Sequence, residues 1–71
     1  MRTESLARLE YELQIRADER GIEIYRDSGK KRCYFYHLSA QGLEGLPDDF
    51  NNTPVGPYPT SLAALRAALE V

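Results

Sequence analysis

The sequence predicts an α+β fold: a small two-layer domain with its helices packed on one face of a short sheet. Three observations lead there. Residues 3–20 and 60–70 carry apolar side chains at helical spacing. Residues 22–38 hold two runs rich in Ile, Tyr and Phe on either side of a glycine turn. A chain of 71 residues makes one domain, 1–71, with the order α-β-β-(β)-α.

Residues 3–20 form the first helix. Thr3 can cap its start through its hydroxyl. Gly21 stands where a left-handed residue closes a helix, and Arg20 suits the negative helix end. At about 100° per residue, Leu6, Leu9, Leu13 and Ala17 share one face and make the core stripe. Ala7, Tyr11 and Ile15 gather on nearly the opposite face. An amphipathic surface helix normally has one apolar stripe, so the second is read as a self-association surface of a homodimer.

Residues 22–26 and 31–38 are two strands, with "RDSGKK" as the hairpin turn and Ser28-Gly29 at its centre. That register sets Ile24 opposite Cys33 and Ile22 opposite Phe35. These four then share the face that meets the helices. Glu23, Tyr25, Arg32, Tyr34 and Tyr36 fall on the other face. Residues 39–57 are rich in Gly, Pro, Asn and Asp and read as a long loop, pinned by Leu43, Leu46, Phe50 and Val55. They leave room for a short third strand within 53–58, which Pro54, Pro57 and Pro59 confine to an edge. Residues 60–70 are the last helix, capped by Thr60, with Leu62, Leu65 and Leu69 buried and an Arg66–Glu70 pair on the surface.

Composition narrows the function. The net charge of −2 argues against a dedicated duplex-DNA binder. Apolar runs are too short to span a bilayer. The stretch "MRTESLARLEYELQ" is charged throughout and does not read as a signal peptide. A single cysteine suits a reducing compartment, so the expected location is the cytoplasm. One Cys and one His cannot close a zinc site, so no metal or cofactor is expected.

The residues that could carry chemistry do not converge. Cys33 and His37, on one strand, are about 13 Å apart along the backbone, too far for a thiolate–imidazole pair. Cys33 reads as a small core residue. "LPDDFNN" reads as turn chemistry rather than a cation loop. No catalytic residues are assigned.

What remains is a surface. Arg26, Lys30, Lys31 and Arg32 make a basic hairpin tip beside Tyr25, Tyr34 and Tyr36. Tyr and Arg dominate protein–protein hot spots. The expectation is a non-enzymatic adaptor, regulator or stoichiometric inhibitor that binds a protein through this face. The alternative is a single-stranded DNA or RNA binder that stacks bases on the same rings.

The element order superficially resembles the double-stranded RNA-binding domain. That family opens its last helix on a lysine-rich stretch, and "YPTSLAALRAALE" has no lysine. In style the chain also resembles small phage and mobile-element accessory proteins, without a specific motif.

Overall fold

The first helix, α1, runs Thr3–Glu19 in a computed structural model that describes residues 3–27, 29 and 33–71, and only the backbone of residues 3–5. Thr3 lies inside it, rather than at the capping position expected. Gly21 closes it with a φ of 70°, a left-handed conformation that glycine adopts without a Cβ penalty. The chain then enters β1 (Ile22–Arg26) and returns as β2 (Tyr34–Leu38). A one-turn helix, α2 (Ala40–Leu43), follows where a loop was expected. Its N-cap is Ser39, whose hydroxyl accepts from the Gly42 N–H at 3.3 Å. The third strand, β3 (Val55–Tyr58), falls within the expected window. The last helix, α3 (Ser61–Leu69), is capped as expected: Thr60 Oγ1 accepts from the Ala63 N–H at 3.0 Å.

The sheet is antiparallel in the order β1-β2-β3, so β3 is an edge strand, as its prolines require. α1 and α3 lie against one face of it. Leu13, Ala17, Leu65 and Leu69 form the buried cluster, and Leu9, Leu62, Ile22 and Ile24 pack around it. Both expected helix stripes therefore point inward, except at the outer end of α1, where Leu6 stays 40% exposed. Each buried Leu is worth about 1.5–3 kcal/mol. α3 is the hub, touching α1 and all three strands. The Ser61 hydroxyl also donates to Glu10, tying the start of α3 to α1.

The hairpin register differs from the expected one. Ile22 pairs with Leu38, Ile24 with Tyr36, Tyr25 with Phe35 and Arg26 with Tyr34. The ladder continues to Asp27, whose N–H donates to Cys33 O at 2.9 Å. Ile24 thus sits opposite Tyr36 instead of Cys33. An odd shift turns β2 over, because side chains alternate. A turn centred on Ser28-Gly29 would have closed the hairpin earlier. Instead, the Gly29 N–H bonds to Asp27 Oδ1 at 3.0 Å, just beyond the last paired residues. Cys33 is half-exposed and takes no part in the core.

Two local contacts fix how the ends of the hairpin meet the rest. Gly21 and Gly42 lie backbone on backbone, and a Cβ on Gly42 would run into the Gly21 carbonyl. The Ser39 N–H donates to the same carbonyl at 2.8 Å. At the same end of β2, the Asn52 side chain accepts from the Leu38 N–H and donates to Leu38 O, both at 2.9 Å. One amide thereby satisfies both backbone groups of a terminal strand residue. The surface pair expected on α3 is replaced: Glu70 turns left-handed at φ 59°, and Arg66 Nε donates to Val71 O at 3.4 Å.

Gly42→Ala is expected to lower stability by about 1–3 kcal/mol, the usual cost of forcing an atom into a packed site. A urea melt should show a lower midpoint with an unchanged slope. Asn52→Asp should cost a similar amount at neutral pH, because an ionised carboxylate cannot donate to Leu38 O. The loss should shrink in acid, where the protonated carboxyl regains a donor.

Candidate functional site

Strand phase divides the aromatic residues between two faces. Ile22 and Ile24 face the helices, so their partners Leu38 and Tyr36 do as well, together with Arg26 and its partner Tyr34. Tyr58 pairs with Tyr34, and its ring stacks on Tyr36 with centroids 6.1 Å apart. Tyr34 and Tyr36 therefore do not share a surface with Tyr25. Placing the three together on one sheet face is corrected here, as is placing Phe35 among the core residues. Arg26 is exposed, but it emerges on the helix side of the sheet. Lys30, Lys31 and Arg32, expected at the basic tip, lie outside the described residues.

The opposite face is built from Glu23, Tyr25, Phe35 and His37. The two long helices pack on the other face, against Ile22 and Ile24. Tyr25 and Phe35 are a directly opposed cross-strand pair, stacked at 5.5 Å and 18°. The His37 ring lies 5.0 Å from Tyr25, tilted by 47°. His37 Nε2 meets Glu23 Oε1 at 3.1 Å, so the imidazole is held in place by its own cross-strand neighbour. The band continues onto β3. A side chain on Gly56 would strike the Phe35 ring, so the glycine lets the β3 backbone lie directly beside that ring. The result is an aromatic strip crossing the sheet from His37 through Tyr25 and Phe35 to Gly56. Its ordered charge is the Glu23 carboxylate.

Sequence reasoning placed Glu23 on this face beside Tyr25 but missed Phe35 and His37. A signal was present at the end of β2. The expected phase would have turned His37 toward the helices and Leu38 toward water, against the preference of both residues.

The helix side of β2 also carries an apolar cleft of about 220 Å³. Ile22, Tyr36, Leu38, Phe50 and Val55 line it, together with His37 and the polar run of Asn51, Asn52 and Thr53. Burial pushes the Tyr36 phenol above its ordinary value, and the negative potential of Tyr58 and Glu70 adds to the effect. On α1, the second stripe stays uncovered: Tyr11 is 68% and Ile15 41% exposed. No group of three or more His, Cys, Asp or Glu side chains is placed to hold a metal among the described residues. No described helix is long and apolar enough to cross a membrane. No family model, curated protein or solved structure matches the chain.

The raised Tyr36 phenol has a definite sign for stability. Its folded-state pKa lies above the unfolded value of about 10, so its contribution is complete below that pH. The contribution is lost as pH rises through the folded value. In an alkaline titration followed by phenolate absorbance, Tyr36→Phe should remove a late component.

Proposed function

We propose that this chain is a non-enzymatic interaction protein. It binds a macromolecular partner, a protein, through the solvent face of its sheet. The observation behind this reading is the stacked Tyr25–Phe35 pair, extended by His37 and left uncovered by both long helices. Ordered rings on a strand pair offer large contact area at small entropic cost, as protein-binding hot spots do. The carboxylate of Glu23 beside the rings favours a protein over a phosphate backbone. An adaptor, a regulator and a stoichiometric inhibitor would all use such a face. Tyr25 is the residue kept from the surface expected on sequence grounds, and Phe35 and His37 replace Tyr34 and Tyr36 in it.

The second reading, a single-stranded nucleic-acid binder, rests on the same rings together with the "GKKR" tip. Salt separates the two. Phosphate-led binding weakens steeply between low and moderate salt, whereas a contact led by aromatic burial does not.

The test compares the native chain with Tyr25→Ala and His37→Ala, both checked for folding by circular dichroism. A captured protein should be retained by the native chain at moderate salt and lost by both variants. Undiminished capture by both would overturn the site. Tight binding of a labelled oligonucleotide at low salt, abolished by the same variants, would replace the protein reading with the nucleic-acid one.

A further inference from the structure

Beyond the aromatic face, the two edges of the sheet are unequal. β3 carries Gly56, Pro57 and an irregularity in its pairing with Tyr34 and Tyr36, features that blunt an edge against further pairing. β1 has none of them. Its five residues, "IEIYR", pair with β2 in unbroken register. The bonds from the Asp27 N–H to Cys33 O and from the Ser39 N–H to Gly21 O show which pairs exchange ladder hydrogen bonds. By alternation, Glu23 and Tyr25 bond to β2, and the backbone groups of Ile22, Ile24 and Arg26 point out of the sheet.

We infer that this edge pairs antiparallel with β1 of a second copy, joining two sheets into one. Three symmetric registers aim the free backbone groups at one another. One sets Glu23 against Glu23 of the second copy, and another sets Glu23 against Asp27. Only the register centred on Ile24 avoids like charges, since it places Ile24 on Ile24, Glu23 beside Tyr25 and Ile22 beside the Arg26 stem.

The helix layer points to the same occupant. α1 packs on β1 and α3, while α3 reaches all three strands, so α1 is the helix on the β1 side. Its uncovered stripe of Ala7, Tyr11 and Ile15 faces away from the core. A two-fold axis through Ile24 sets the two α1 helices antiparallel, stripe to stripe. Arg8 and Glu19 lie on the same flank of that stripe, about three turns apart. Arg8 already holds Glu12 of its own helix at 3.6 Å in an exposed pair, and the antiparallel arrangement brings Glu19 of the other copy to the same guanidinium, twice over. This charge match makes the occupant a second copy of the chain rather than an unrelated protein. The aromatic face stays open, and the two bands become neighbours where Glu23 meets Tyr25.

Sedimentation should give twice the 8.1 kDa chain mass. Tyr11→Glu combined with Ile15→Glu should give a folded monomer. Arg8→Glu alone should raise the dissociation constant by roughly tenfold over its two symmetric pairs, and adding Glu19→Arg should restore it. Hydrogen exchange reads the strand contact directly. The Ile24 and Arg26 amides should be protected in the dimer and fast in the monomeric variant. A monomer at every concentration would overturn the inference, as would a dimer whose Ile24 and Arg26 amides exchange freely.

Discussion

The pairing of Ile24 with Tyr36 is the constraint from which the rest of this structure follows. β1 presents Ile22 and Ile24 to the helices whatever its partner does, because they are its only aliphatic residues. The phase of β2 against them then decides which aromatic rings are covered and which meet water. With Ile24 on Tyr36, the tyrosines of β2 join Tyr58 on the helix side, and Phe35 stacks on Tyr25 outside. The same phase carries the Glu23–His37 contact and leaves Ile22, Ile24 and Arg26 with backbone groups aimed out of the sheet.

Most of the architecture was readable because it is local. Helix boundaries, the Thr60 cap, the left-handed Gly21 and the inward stripes of α1 and α3 each depend on residues a few positions apart. The proline-confined edge strand was readable for the same reason. Hairpin phase was not, because "CYFYHL" offers two alternating sets of nearly equal merit. Cys33, Phe35 and His37 make one set, and Tyr34, Tyr36 and Leu38 the other. A two-residue glycine turn favours the first set. The burial preferences of His37 and Leu38 favour the second, and the packed sheet follows them. The short α2 was missed for another reason. It depends on the contact between Gly21 and Gly42, which lie far apart in sequence and leave no local trace.

The core explains why so much apolar surface remains outside. Its tightly buried side chains are Leu13, Ala17, Ala64, Leu65 and Leu69, all from α1 and α3. The sheet contributes only flanking contacts through Ile22 and Ile24. A domain of this size cannot cover every large ring it carries. Phe50, Val55 and Tyr11 therefore remain accessible, and the rings of the aromatic band are only half-covered.

The Asn52 clip separates closing the sheet from the path the chain takes to reach it. Between Glu44 and Asp49 the backbone makes only short-range turn bonds, such as Leu46 N–H to Leu43 O. The return to β2 begins with a single side-chain amide, just ahead of the paired residues of β3. Lengthening that excursion carries only the slow logarithmic penalty of a longer loop, about 0.6 kcal/mol per doubling. The stretch from Glu44 to Asp49 is thus the place where this scaffold tolerates insertions, and where a tag or a grafted epitope would least disturb the strands around it.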